Sequence, residues 1–527
     1  MTLPGNHRVW AIGLLLIAIG CARTDVPKKD VKGGDGVLRL SLPGEPRSLN
    51  PNVAPLDEYA LIVCQNIFSR LVSQADDGTI VPELAERWSQ SADGLSYTFH
   101  LRGDVRFHDG TPLTVEDVRA TFARINESAN SELAQHIAGV DVGSDRSVVV
   151  HLKAPWAAFI PTLGWYGASI LPAHIYGGSP WAGNPANMRP IGSGPFRFKS
   201  WEPGRRIVLE KNPEFFGQGP YLDQLDYVIV ATPSEAVQLL LAGNVDLVIG
   251  RPPATMMRAL KHSPGLRVSL SPSDGRTYLA FNMRRPPFND LRLRRAVNLA
   301  LDRRAIVDTA LPDLGTPAVG FYTPAVAWAY NGNARVPPHD PAAARKLVAE
   351  AGPLPRIVFA FPGMPAAAPT PVGAEIIRQL EAVGFRIDPK PFAPQEYLAR
   401  MMADRSFDLL VLSGSHGPDP DAMAARFGSA GSMQIMGYSN PDLDAVLGRG
   451  GMISDPAARA AAYYRAQDIL AADLPIAPLF ETVRASVFRD GIRGLPHEDA
   501  SGLVPDYTFN LVRLRTAGAD QSRKPES

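Results

Sequence analysis

Ser415 and His416 are sequence neighbours, His108 precedes Asp109, and Asp76 precedes Asp77. Each pair carries groups that hydrolytic enzymes use, but none has the arrangement that catalysis needs. A nucleophile and its base meet through the fold from separate positions, so adjacent Ser415-His416 makes a poor couple. Neither a His-Glu-x-x-His zinc helix nor a Gly-x-Ser-x-Gly elbow occurs. The 10 histidines are scattered without paired metal spacing. Asp76-Asp77-Gly78 and Asp109-Gly110 have the composition of turns. Gly192-Ser193-Gly194 resembles a phosphate cradle only superficially, because no Gly-Lys-Ser/Thr follows it, and a P-loop is excluded. The residues therefore assign no catalytic set, no metal and no cofactor, and the chain is expected to bind rather than to transform.

Whatever it binds must be positioned by a large scaffold. At 527 residues the chain is too long for one ordinary core, so two or three subdomains are expected. A hydrophobic content of 45% with 20% charged residues is ordinary for a soluble globular protein. The formal net charge of +0 gives no basic excess for a nucleic-acid partner. The run Val105–Arg124 reads as a turn feeding a helix. Thr114 stands three residues before Asp117, a capping-box pattern, and Val115, Val118, Phe122 and Ile125 share one apolar face. Alternation marks strands at Leu38-Leu40-Leu42, Tyr97-Phe99-Leu101 and Val148-Val150-Leu152. Further strands are expected at 205–211, 225–230 and 245–249, with a helix at 232–242 between the last two. From Tyr278-Leu279-Ala280-Phe281-Asn282 onward, strand and helix patterns alternate. Helices are expected at 290–300, 302–311 and 340–351, the last opened by Asp340-Pro341. Strands at 356–361, 386–389 and 408–412 enclose two helices, one using Ile376, Leu380 and Val383 and one over 394–403. That is a βαβαβ series and predicts a parallel sheet.

The two cysteines bear on the compartment. Cys21 ends an apolar run that follows His7-Arg8, too short to span a bilayer and shaped like a secretory signal. Ala18-Ile19-Gly20-Cys21 resembles the bacterial lipobox, which makes Cys21 the expected lipidated N-terminus. The polar stretch 22–36 reads as a flexible tether. Cys64 lies in an apolar helical run and reads as a buried, inert thiol.

Several segments carry a family likeness in a fixed order. The 105–124 run is the first of them. Pro46-Arg47-Ser48-Leu49-Asn50-Pro51, Gly192-Ser193-Gly194-Pro195-Phe196 and Lys211-Asn212-Pro213-Glu214-Phe215-Phe216 are further landmarks. So are Ala242-Gly243-Asn244-Val245-Asp246 and Leu293-Arg294-Arg295-Ala296-Val297 with Ala300-Leu301-Asp302-Arg303. From about Val37 to Leu514 the chain resembles the family-5 extracellular solute-binding proteins, which serve peptide, nickel and related ABC importers. The resemblance implies an α/β, two-lobed periplasmic-binding-protein fold of the cluster C type, with an extra subdomain on the first lobe. Its segments become a signal peptide at 1–20, a lipidated N-terminus and tether at 21–36, and lobe I from 37–50, 190–270 and 485–515. The extra subdomain takes 51–189, lobe II takes 271–484, and 516–527 is a disordered tail.

The resemblance also implies where a solute is held. Tyr278 and Asn282, on the strand opening lobe II, are expected to stack on it and hydrogen-bond it. Trp328 is expected as a cleft wall. The loop 413–421 follows a strand end, where open α/β sheets bind ligands. In peptide-binding relatives that loop supplies an aspartate for the ligand's amine; here the aligned place falls on Ser415 or His416. Asp419 and Asp421 read as a helix-starting Asp-Pro-Asp. Asp302-Arg303 reads as a helix cap with surface pairs. His416 offers a neutral donor and acceptor, or a metal ligand. Arg426 and Tyr438 are secondary contacts, Arg426 toward a carboxylate. The implied partners are a peptide or small-molecule solute, an ABC permease with its ATPases, and the membrane through Cys21. The implied state is a monomer outside the cytoplasm. Same-fold alternatives are a sugar or nickel-chelate binder, or a sensor without transport.

Overall fold

A computed structural model describes residues 36–514, apart from 54–56, 76, 128–131, 166–167, 179, 251, 363–368, 393–396, 398–404, 416, 418, 497 and 499–506. The signal, lipobox and tether, the 516–527 tail, His416 and most of the helix expected at 394–403 lie outside the described residues.

Two long strands dominate the described chain. Leu266–Phe281 spans 16 residues and Ile476–Arg489 spans 14. They pair antiparallel from Leu266 opposite Arg489 to Ala280 opposite Ile476. The register breaks between Pro272 and Arg276 and again between Thr277 and Tyr278. Such bulges bend a strand and re-aim the side chains beside them. The two strands form the middle of an 11-stranded sheet. On one side follow Leu409–Ser415, Arg356–Pro362 and Arg386–Phe392; on the other Leu247–Val248, Val37–Leu42, Gln224–Ile229, Arg206–Lys211 and Phe196–Glu202. Gly315–Pro317 pairs with Ile476–Arg489 off this path.

The parallel sheet expected from the βαβαβ series is present in part. Arg356–Pro362 pairs parallel with both Arg386–Phe392 and Leu409–Ser415. Leu409–Ser415 then pairs antiparallel with Leu266–Phe281, so the sheet is mixed. Local pattern specifies the helical crossovers, but the pairing with strand 266–281 joins segments more than a hundred residues apart, which no local period encodes.

Side chains on opposite faces of these strands build separate cores. Tyr278 and Ala280 pack with Phe321, Tyr322, Met423 and Tyr463. Leu279 and Phe281 pack on the other face with Val297, Ile306, Ile376 and Leu380. Leu38, Leu40 and Leu42 join Phe68, Tyr227 and Phe488 in a third core. A four-stranded antiparallel sheet, ordered Ala85–Gln90, Ser96–Leu101, Ser147–Leu152 and Ile137–Val142, is covered by Val118, Phe122 and Ile125 of helix Val115–Asn126. Trp165 follows that last sheet in sequence yet sits in the Tyr278 core, which ties the two together.

The 105–124 run folds as its residues dictate. Asp109 Oδ1 accepts from Thr111 N–H at 3.0 Å, and Gly110 takes φ +85° in the turn. Asp117 accepts from Thr114 N–H at 2.7 Å, closing the capping box, and its other oxygen accepts from Ala173 N–H at 2.8 Å. His108 bridges to the second glycine turn: Gly192 N–H donates to Nδ1 at 3.2 Å, and Nε2 meets Gly194 O at 3.0 Å. A ring that accepts at Nδ1 carries its proton on Nε2 and is neutral. Gly192 and Gly194 are needed there, because a Cβ would come within 2.0 and 2.7 Å of the backbone at 66–67. Cys64 is fully buried, and burial pushes its thiol well above the ordinary range.

Candidate functional site

Strand alternation puts Arg276, Tyr278 and Ala280 on one face of Leu266–Phe281. Gly414 stands opposite Arg276 and Leu412 opposite Tyr278 on the neighbouring strand, while Glu481 stands opposite Arg276 on the other side. Tyr278 is 7% exposed. Burial pushes its hydroxyl up, and the charges of Arg426 and Arg276 pull it back. Arg426 lies in the last turn of the short helix Ala422–Phe427 and is half-buried. Met423 and Phe427 of that helix pack in the same core as Tyr278.

Asn282 ends the same strand but faces the chain's own backbone. Its amide donates to Phe407 O at 2.9 Å and Arg405 O at 3.3 Å, and its oxygen accepts from Arg284 N–H at 3.2 Å. Tyr438 is buried with its hydroxyl donating to Asp473 Oδ2 at 2.6 Å. Ser415 is the last residue of its strand, opposite Gly275.

Trp328 belongs to a second cluster. It is 41% exposed, an unusual state for so large an apolar ring. Its ring meets Tyr463 edge-on, with centroids 6.2 Å apart and planes at 76°. The Arg459 guanidinium lies 5.3 Å from the Trp328 centroid and 5.4 Å from that of Tyr463. Arg459 is in turn clamped by Asp419, Nη1 to Oδ2 at 2.7 Å and Nη2 to Oδ1 at 2.6 Å, with Nε donating to Gly450 O at 3.0 Å. This buried, bidentate pair fixes the ring from below.

Asp421 corrects a reading made from sequence. The helix does begin after Asp-Pro-Asp, but Asp421 makes no side-chain cap. Its Oδ2 instead accepts from Trp156 Nε1 at 2.9 Å, across a separation of 265 residues. Burial raises the Asp421 carboxyl, and the Trp156 hydrogen bond opposes that. Trp156 stacks on His136 at 3.9 Å, and Ala157 N–H donates to Gly451 O at 2.8 Å. These contacts join the four-stranded-sheet segment to the 419–459 segment.

Arg303 is likewise not the surface residue expected. It is 6% exposed, and its guanidinium donates to Pro478 O at 2.6 Å, Asn298 Oδ1 at 2.8 Å and two further carbonyls. Asp302 does cap the helix, accepting from Ala305 N–H at 3.0 Å.

Sequence reasoning passed over Arg276, Trp156 and the Asp419–Arg459 pair. Arg276 had a local signal: it is a charged residue two places before Tyr278, hence on the same strand face as Tyr278 and Ala280. Among the described residues no group of three or more His, Cys, Asp or Glu side chains converges to hold a metal, and no helix is long and apolar enough to cross a membrane. What this geometry offers is a partly open aromatic surface with guanidiniums near it.

Residues 79–434 match the bacterial extracellular solute-binding proteins, family 5 (middle region). The "probable di/tripeptide-binding protein 5" of Pseudomonas aeruginosa is 30% identical over 460 residues, covering 81% of this chain and 87% of that protein. The "probable ABC transporter periplasmic-binding protein SapA" of Escherichia coli is 28% identical over 534 residues, 95% of each chain. Among solved structures, the ABC transporter substrate-binding protein CtaP of Listeria monocytogenes superposes with a TM-score of 0.81 at 25% identity, covering 91% of this chain and 99% of that one.

Proposed function

Because the chain belongs to the bacterial extracellular solute-binding proteins of family 5, whose members bind solutes and are not enzymes, we propose that it captures a short peptide and delivers it to an ABC permease. The observation that carries this reading is the likeness to a di/tripeptide-binding protein across 81% of the chain. The α/β fold with its large mixed sheet is that of the periplasmic binding proteins.

The peptide lies in a cleft between lobe I, built from 37–50, 190–270 and 485–515, and lobe II, 271–484. The extra subdomain, 51–189, closes over one side. Both proposed lobe boundaries near 270 and 484 fall inside the two long strands, so these strands are the hinge. Tyr278, Trp328 and Arg426 face the solute, and Ser415 and His416 belong to the binding set by family position. Asn282 and Tyr438 hold the wall behind it, since their polar atoms are taken by Phe407 and Asp473. The Trp156–Asp421 bond joins the extra subdomain to lobe II and favours the closed form. The protein works as a monomer, anchored to the outside of a membrane through a lipid on Cys21, and performs no reaction on its cargo.

Isothermal titration of the full chain with di- and tripeptides tests this. Saturable binding of at least one peptide is expected. Heat only with a sugar or a nickel–histidine chelate overturns the peptide reading.

A further inference from the structure

The strand Leu266–Phe281 carries a guanidinium into a face otherwise made by Tyr278 and Ala280. Arg276 is 1% exposed. Its Nη2 donates to Gly320 O and lies 3.8 Å from Glu481 Oε1, beyond hydrogen-bond distance. Its Nε and Nη1 are buried and have no hydrogen-bond partner among the described residues. Glu481 is itself bonded by Thr323 Oγ1 at 3.0 Å. Arg426 lies on the helix Ala422–Phe427, whose Met423 and Phe427 pack in the same core as Tyr278.

Burying a cation with unmet N–H groups is strongly unfavourable, and folded proteins rarely tolerate it without a partner. The fold leaves room for one. Gly414, directly opposite Arg276, is exposed, and a side chain there would meet nothing within 4 Å. The pairing with 476–489 is interrupted between Pro272 and Arg276 and again after Thr277, while the pairing with 409–415 runs unbroken through Gly275, Arg276 and Thr277.

We propose that Arg276 is the anion anchor of the solute site, receiving a carboxylate of the bound molecule in the open space beside Gly414, with Arg426 as a second cation. This deepens the peptide reading and rests on it: the solute is a short peptide held by its free C-terminal carboxylate. Turning from the Gly320 carbonyl toward Gly414 exchanges a neutral acceptor for a charged one.

The test measures affinities of the full chain for dipeptides with apolar, acidic and basic side chains, each as free acid and as C-terminal amide. Free acids are expected to bind about ten- to a hundredfold tighter than the matching amides, the loss for one charge-assisted contact. In Arg276→Gln both forms should bind at the amide's level. Gly414→Val puts a side chain into this space, where its Cβ meets nothing within 4 Å, and should weaken the acids alone. Equal binding of acid and amide by the unaltered chain overturns the anchor and leaves the peptide reading standing. Undiminished preference for acids in Gly414→Val also overturns it. Silence toward every dipeptide in both forms overturns the peptide reading and the anchor together.

Discussion

Asp419→Asn should be among the most damaging single substitutions in the 419–473 region. Asp419 and Arg459 form two parallel bonds of 2.7 and 2.6 Å, with side chains only 6% and 8% exposed. An amide accepts at one atom, so one bond is lost and the guanidinium is left without a countercharge. Removing one partner of a buried pair typically costs about 3–5 kcal/mol. Arg459 keeps the Gly450 carbonyl and the faces of Trp328 and Tyr463, which places the loss near the lower end, at about 3 kcal/mol. For a unit of some 200 residues that is a fall of roughly 6–12 °C in Tm. Urea unfolding followed by tryptophan fluorescence is the assay, because the Trp328 ring sits 5.3 Å from the guanidinium and reports its own neighbourhood. A chain with several cores need not unfold in one step, so the transition compared is the one in which this signal changes. The double variant Asp419→Leu with Arg459→Met removes both charges and should recover most of the loss. A loss below about 1 kcal/mol for Asp419→Asn, or a double variant as unstable as the single one, would refute the reasoning.

Burial holds His108 at a pKa of about 4, below its ordinary 6.5, so the folded chain binds fewer protons than the unfolded chain between these values. Its contribution is therefore intact above pH 6.5 and drains away as pH falls through 4, by at most about 3 kcal/mol. Urea midpoints between pH 7 and 4 should fall less steeply in His108→Leu; identical slopes contradict the assignment. Cys21→Ala should move the protein from the membrane fraction to the soluble one, and retention in membranes argues against lipidation. His416→Ala should weaken solute binding about tenfold if the imidazole meets the ligand; unchanged affinity reduces it to a loop residue.

Local signals were sufficient where the determining contacts are local. The Thr114–Asp117 box lies within four residues, and Asp340 accepts from Ala342 and Ala343 N–H at 3.1 and 2.9 Å just as Asp-Pro at a helix start implies. Leu38, Leu40 and Leu42 are all fully buried, as their alternation with polar residues requires. Non-local contacts were not legible. Asp421 has the sequence context of a helix cap, yet its carboxylate goes to an indole 265 residues away. Arg303 sits beside a helix-capping aspartate, where a surface position is the natural reading, but carbonyls from Asn298 and Pro478 draw it inward. The parallel trio of strands followed from alternating helix and strand patterns, whereas the antiparallel strand 266–281 that turns the sheet mixed is fixed by partners at 409–415 and 476–489. For the candidate site, Tyr278 and Arg426 were expected from family position. Arg276 carried the local signal of strand alternation, but its unpartnered Nε and Nη1 were visible only in the fold.

The account stands on the nature of the cargo, and mass spectrometry of what the purified, folded protein releases on denaturation addresses it most directly. Short peptides with free C-termini are the predicted release. A sugar, a metal chelate or any other non-peptide molecule recovered in stoichiometric amount would contradict the central claim.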